Sequence, residues 1–136
     1  MSSSLNPYLA FRDNAREAME FYQGVFGGKL DVSTFGQFGT EGADADKVMH
    51  AQLTADNGFV LMGADTPAEM EYNNAGGNIT VSLSGDDADD LRGYWQKLSA
   101  DGNVTMPMQK QMWGDEFGMC VDKFGVPWMI DIVGQS

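Results

Sequence analysis

The chain has 136 residues, with 8 Lys or Arg against 20 Asp or Glu, so its formal charge is −12 at pH 7. This length suits one domain or two tightly joined half-domains, and the acidic balance argues against nucleic acid, whose phosphates require a basic surface. The single cysteine excludes an internal disulfide. With no signal peptide and no apolar stretch of about 20 residues, we expect a cytoplasmic protein without a membrane span.

The first half of the chain begins with a predicted strand and helix. The run 5–11 is uncharged and long enough for a buried strand. Asn14 and Glu17 have the spacing of a capping box, in which the Asn14 side chain accepts hydrogen bonds from the first helical turn. Apolar residues then recur at helical spacing until Gly27 and Gly28, which favour a left-handed helix end.

Three further strands complete this half. Alternation of apolar and polar residues predicts strands over 30–34, 48–55 and 59–64. The last two flank the sequence Asp56-Asn57-Gly58, and Asn-Gly is a strong hairpin signal because both residues tolerate positive φ. The segment 65–77 is polar, contains proline and glycine, and is interpreted as a linker.

The second half repeats the first in outline. Its predicted elements are a strand over 78–84, a helix from Ala88 to Leu98 capped by Asp86 or Asp87, and strands over 104–108, 117–121 and 128–133. Pro107 predicts that its strand is an edge strand or carries a bulge.

The order βαβββ therefore occurs twice, in a first module of about 5–65 and a second of about 78–134. One such unit has too few strands to close a core. We expect an α+β fold over 1–136, in which the two modules form a curved, half-open barrel of mixed sheet with the helices outside and a cavity between the modules.

Short sequence segments along almost the whole chain resemble those of one family. They are Pro7-Tyr8-Leu9-Ala10-Phe11, Glu17-Ala18-Met19-Glu20-Phe21-Tyr22, Phe26-Gly27-Gly28, Met49-His50-Ala51-Gln52-Leu53, Leu61-Met62 and Asp122-Lys123-Phe124-Gly125-Val126-Pro127-Trp128-Met129-Ile130. Their order resembles the vicinal oxygen chelate superfamily, which includes glyoxalase I, extradiol dioxygenases, and fosfomycin and bleomycin resistance proteins. Within it, the PhnB-like branch is the most similar.

The resemblance implies a homodimer with a small-molecule site in the cleft between the modules. The PhnB-like branch is often labelled as a 3-demethylubiquinone methyltransferase domain. The sequence does not support that label, because no glycine-rich turn follows a strand and opens a helix, as a nucleotide-type cofactor would require.

Metal-dependent members of the superfamily carry His, Gln or Glu at four strand positions. The resemblance places these positions at Asn6 or Pro7, at Met62 or Gly63, at Asn78 and near Asp131. Only Asp131 carries a good ligand group, because a neutral amide seldom anchors a transition metal. We therefore expect no metal and no other cofactor. The alternative is a divalent metal ion held by a reduced or displaced ligand set.

His50 and Asp131 are the catalytic candidates. His50, the only histidine, is interpreted either as a base or lone ligand in the cavity, or as a strand residue that is hydrogen-bonded in the sheet or faces a dimer partner. Asp131 interrupts an apolar strand, which is costly unless the carboxylate is paired. It either holds a cationic ligand or orients His50, or else it pairs with a basic group such as Arg12 or faces water.

The candidate ligand-binding residues are Asn78, from the family position, and the aromatic residues Trp113, Phe117 and Trp128. The aromatic rings offer large contact areas to a cation or a planar compound, and plain core packing is the alternative. Cys120, between two apolar residues in a strand, is interpreted as a small buried hydrophobe.

Two hypotheses for function follow. The first is a metal-independent protein that binds a cationic or aromatic small molecule, as the bleomycin-resistance relatives do, with no nucleic-acid or membrane partner. The second is a divalent-metal-dependent lyase, isomerase or dioxygenase of the glyoxalase type.

Overall fold

The computed structural model describes residues 5–67 and 79–134. The chain divides into two compact units, Met1–Asn74 and Ala75–Ser136. Most of the predicted linker, and Asn78 with it, lies outside the described residues. Within the described ranges, each unit contains one four-stranded sheet and one α-helix.

The first module consists of β1 (Tyr8–Phe11), α1 (Ala15–Phe26), β2 (Lys29–Thr34), a short 3-10 helix (Gly36–Phe38), β3 (Val48–Thr54) and β4 (Val60–Asp65). The second consists of β5 (Val81–Gly85), α2 (Ala88–Ser99), β6 (Asn103–Lys110), β7 (Glu116–Val121) and β8 (Pro127–Ile132).

Both sheets have the same topology, with strand orders β1-β4-β3-β2 and β5-β8-β7-β6. The pairs β1–β4 and β5–β8 are parallel, and the other pairs are antiparallel. This arrangement confirms the predicted α+β class and the two βαβββ modules. The sheets are not closed. Pro107 lies, as predicted, in an edge strand, β6. The register of β6 with β7 shifts between Val104 and Met106, and again between Met106 and Gln109, the stretch that contains Pro107.

In the first module, α1 covers one face of the sheet. Ala51 and Leu53 of β3 are buried towards the helix, where Met19 and Tyr22 are buried as well. Because side chains alternate along a strand, His50 and Gln52 lie on the opposite face, which we call the helix-free face. An amphipathic helix and an alternating strand thus bury their apolar sides against each other.

The second module follows the same pattern. Cys120, Trp128 and Ile130 are buried on the face that α2 covers. A Cβ atom at Gly118 would lie 2.9 Å from the Trp95 ring, so glycine lets the helix approach the sheet closely. Burial, with a smaller contribution from the Asp122 charge, raises the pKa of the Cys120 thiol to about 11. Cys120 is therefore an unreactive core residue, as predicted.

The predicted capping box at the start of α1 is wrong. Asn14 occupies the N-cap position, but its side chain makes no capping hydrogen bond. The Asp65 carboxylate, 50 residues away, accepts a hydrogen bond from the Ala15 N–H at 2.9 Å and another from the Val48 N–H at 2.9 Å. Asp65 is thus the last residue of β4 rather than the start of the linker, and it joins α1, β3 and β4.

A second buried carboxylate fixes the turn between β7 and β8. Asp122 Oδ1 accepts hydrogen bonds from the backbone N–H groups of Phe124 (2.8 Å) and Val126 (3.1 Å). Its Oδ2 accepts one from Trp128 Nε1 at 2.9 Å. Two backbone donors and one side-chain donor are therefore satisfied by a single residue.

Both helices have 12 residues. Within the described ranges, no helix combines the length and the apolar composition that a membrane-spanning helix needs.

Candidate functional site

His50 lies on the helix-free face of the first sheet, at the centre of β3. Its Nδ1 atom is 3.3 Å from the hydroxyl oxygen of Tyr8, and the two ring centroids are 5.7 Å apart. Tyr8 belongs to β1 and is 55% exposed. His50 is thus a strand residue that is hydrogen-bonded within its own sheet, and its role as a base or ligand stays a prediction.

Asp131, Phe117 and Trp113 lie together in the second module. Asp131 of β8 is the register partner of Phe117 of β7, so both side chains project from the helix-free face of that sheet. The Trp113 ring, in the turn before β7, contacts Phe117 edge to face, with centroids 6.2 Å apart. Trp113 is 59% exposed, so much of its surface is open to solvent.

Asp115 adds a second carboxyl group to this cluster. Burial, a hydrogen bond to Asp115 and the charge of Asp115 raise the pKa of Asp131. The Gly134 N–H donates to Asp115 Oδ1 at 2.6 Å. Within 5–67 and 79–134, no basic side chain pairs with either carboxylate, so the salt bridge considered for Asp131 is not seen.

The raised pKa has a defined consequence for stability. The folded protein binds the Asp131 proton more tightly than the unfolded chain does. Folding stability from this group therefore decreases as the pH rises from the ordinary aspartate range through the raised folded pKa.

Asp115→Asn is expected to lower the pKa of Asp131, because the substitution removes the like charge beside it. Carbon-detected NMR titration of the aspartate side-chain carboxyl groups measures this shift. Asp89→Asn, an exposed position at the start of α2, serves as the control and should leave the Asp131 titration unchanged. An identical Asp131 titration in the Asp115→Asn variant would show that the two carboxyl groups do not interact.

Two other predicted ligand contacts are not part of this cluster. Trp128 is only 1% exposed and packs on the helix-covered face, with its Nε1 group bound to Asp122. Its indole therefore has a core role and is left out of the site proposed below. Asn78 lies outside the described residues.

The family's metal positions can be compared with these residues. At the first position Asn6 offers a neutral amide and Pro7 no side-chain donor atom, and at the second Met62 offers a thioether and Gly63 nothing. Asp131 pairs with another carboxyl group. Across the part of the chain that the structure describes, no three His, Cys, Asp or Glu side chains form a group that could hold a metal ion. The described residues at these positions therefore do not fit a divalent ion.

The second module also contains a cavity of about 470 Å³ beside the first turn of α2. None of the predicted site residues that the structure describes lines it. Arg92 and Glu116, which do, form an ion pair that raises the pKa of Arg92 and lowers the pKa of Glu116. The Arg92 and Glu116 charges in this cavity therefore neutralise each other. Among the described residues, Asp131 has no such basic partner.

Sequence reasoning missed two residues, Tyr8 and Asp115. A signal for Asp115 exists, because it lies in the chain between Trp113 and Phe117, two of the predicted contacts, just before β7 begins at Glu116. Tyr8 had no comparable signal, since its contact with His50 depends on the position of β1, which pairs with the distant strand β4.

The comparisons with known proteins agree with this fold. A profile of the Glyoxalase/Bleomycin resistance protein/Dioxygenase superfamily matches residues 4–130. The chain therefore belongs to this superfamily, which confirms the resemblance at that level.

Three relatives show how far the similarity extends. Protein PA1353 from Pseudomonas aeruginosa is 32% identical, with a TM-score of 0.87 over 98% of this chain and 100% of that one. The PhnB protein from Bacillus cereus is 25% identical, with a TM-score of 0.69 over 96% of this chain and 100% of that one. Protein YjdN from Escherichia coli K12 is 28% identical over 146 residues, covering 97% of each chain.

Proposed function

We propose that this protein binds a small cationic compound with an aromatic or flat apolar part, and that it does so without a metal. The proposed contacts are Trp113, Phe117 and Asp131, on the helix-free face of the second sheet. The observation that carries the proposal is an exposed indole that contacts Phe117, whose strand partner Asp131 has no basic partner among the described residues.

The chemistry of these groups favours a cation. An aromatic ring attracts positive charge to its face, by about 0.5–2 kcal/mol depending on solvent exposure. A cation beside Asp131 would also relieve the repulsion between Asp131 and Asp115. The formal charge of −12 adds long-range attraction for the same class of ligand.

We also propose that the chain belongs to the PhnB-like branch, supported by its similarity to the PhnB protein from Bacillus cereus. The homodimer and the cytoplasmic location expected from the sequence stay predictions.

The test is a titration of tryptophan fluorescence in protein purified without a His tag. We expect 1-methylquinolinium to quench the emission at saturation, and phenethylammonium to bind at least about tenfold more tightly than neutral 2-phenylethanol. Trp113→Phe should remove most of the quenching, because Trp95 packs between α2 and the sheet at Gly118 and Trp128 is buried. Asp131→Asn should weaken the binding of the cation by about tenfold.

Phe38→Ala is the matched control, since Phe38 is an exposed aromatic residue on the first module. This variant should bind like the parent protein. Equal affinities for the cation and the neutral compound, or an unaffected Asp131→Asn variant, would contradict the proposal. Stoichiometric metal in the untagged protein, measured by elemental analysis, would contradict its metal independence.

A further inference from the structure

Tyr8 and His50 form a polar pair on the helix-free face of the first sheet, opposite α1. The Tyr8 hydroxyl and His50 Nδ1 are 3.3 Å apart, and the rings are tilted by 38°. The pair joins β1 to β3 across β4, and β1 and β3 each pair with β4. Both side chains are therefore positioned by strands rather than by a loop.

The pairing leaves one nitrogen of His50 available. Nδ1 is held by Tyr8, and among the described residues Nε2 has no hydrogen-bond partner. A histidine whose one nitrogen is fixed by a neighbour and whose other nitrogen is open is the arrangement that an oriented base requires. When Nδ1–H donates to the Tyr8 oxygen, Nε2 carries the free lone pair.

The residues beside this pair on the same face are small or flexible. Met62 is the register partner of Tyr8, and Ala10 pairs with Ala64 on the same face. The methyl side chains leave room next to His50, and the thioether of Met62 offers an adaptable apolar contact. Ser33, the register partner of His50 on β2, adds a hydroxyl group at the far side.

We propose that Tyr8 and His50 form a proton-accepting site for a weakly acidic hydroxyl compound, such as a phenol or an enol. The ligand O–H bond breaks, and its proton forms a new N–H bond at Nε2 of His50. The electron pair stays on the ligand oxygen, so an oxyanion and an imidazolium form with no change in net charge. Tyr8 accepts from Nδ1–H throughout and stabilises the imidazolium.

This site goes beyond the function proposed above. It lies on the first module and uses none of Trp113, Phe117 or Asp131. Its probe is an acid rather than a cation, so one proposal can fail while the other holds.

The probe is 4-nitrophenol, because its phenolate absorbs visible light and its neutral form does not. At a pH below the phenol's own pKa, the parent protein should increase the phenolate band to saturation. His50→Gln, which retains hydrogen bonding but accepts no proton, should reduce the response by at least about tenfold. Tyr8→Phe should weaken it about three- to tenfold, the effect of one hydrogen bond.

Proton NMR gives an independent readout, because His50 supplies the only histidine ring resonances in the chain. The Hε1 signal should move in the imidazolium direction with 4-nitrophenol and stay in place with 4-nitroanisole, which has no proton to give. Phe38→Ala should respond like the parent protein and so controls for adsorption to exposed rings. An unchanged phenolate band, or an equal response in His50→Gln, would overturn the proposal.

Discussion

Replacing Asp122 with alanine is expected to lower the free energy of unfolding by about 3 kcal/mol, a shift in Tm of about 10 °C. The carboxylate is only 3% exposed and accepts three hydrogen bonds, from Phe124 N–H, Val126 N–H and Trp128 Nε1. Alanine leaves these buried donors without their acceptor. Unsatisfied buried polar groups are among the few causes of large losses of folding stability. Thermal and denaturant unfolding measure the effect.

Two variants separate the hydrogen bonds from general disturbance. Trp128→Phe removes the indole donor, and its combination with Asp122→Ala should cost less than the sum of the two single changes. Asp56→Ala is the matched control, because Asp56 is an exposed aspartate in the corresponding hairpin of the first module. A loss of less than about 1 kcal/mol in Asp122→Ala would show that the network does not hold the turn.

Replacing Asp65 with alanine should cost a similar amount, about 3 kcal/mol. Its carboxylate is 6% exposed and accepts hydrogen bonds from Ala15 N–H and Val48 N–H. Asp65→Asn should lose about 2 kcal/mol, because one amide oxygen can replace only one of the two acceptors. Hydrogen exchange at the amides of Ala15 and Val48 should accelerate in both variants.

Asn14→Ala distinguishes this arrangement from the capping box that the sequence suggests. The Asn14 side chain makes no capping bond, and its Oδ1 has no partner within the described residues, so the change should alter stability by less than about 0.5 kcal/mol. If Asn14→Ala proves more damaging than Asp65→Ala, the N-terminus of α1 is capped locally and the assignment to Asp65 is wrong.

The elements of the fold were predictable because their signals are local. Helical spacing and a glycine pair predict α1 up to Phe26, and the structure ends it there. The Asn57-Gly58 sequence predicts the β3–β4 hairpin, and the proline at 107 predicts an edge strand. Each of these features depends on residues within about ten positions of one another.

The contacts that matter for the site were harder to predict. Asp131 meets Phe117 within a hairpin, so their proximity could be read from the chain. Tyr8 meets His50, and Asp65 meets Ala15, only after a parallel strand pair has formed between distant segments. The burial of Trp128 could not be predicted for another reason. The alternation of side chains along a strand assigns residues to two faces, but it does not say which face the helix covers.

The two buried carboxylates occupy positions that do not correspond between the modules. Register places Ile132 where the first module has Asp65, and the hairpin that contains Asp122 has Ala55 at the matching point of the first module. The buried carboxylate of each module therefore stabilises a different part of the βαβββ unit. A chain built from two copies of the first half would keep the strand order but lose Asp122, which accepts the hydrogen bonds of the β7–β8 turn. A chain built from two copies of the second half would lose Asp65, which accepts from the first N–H of the helix. The halves are alike in outline and not interchangeable.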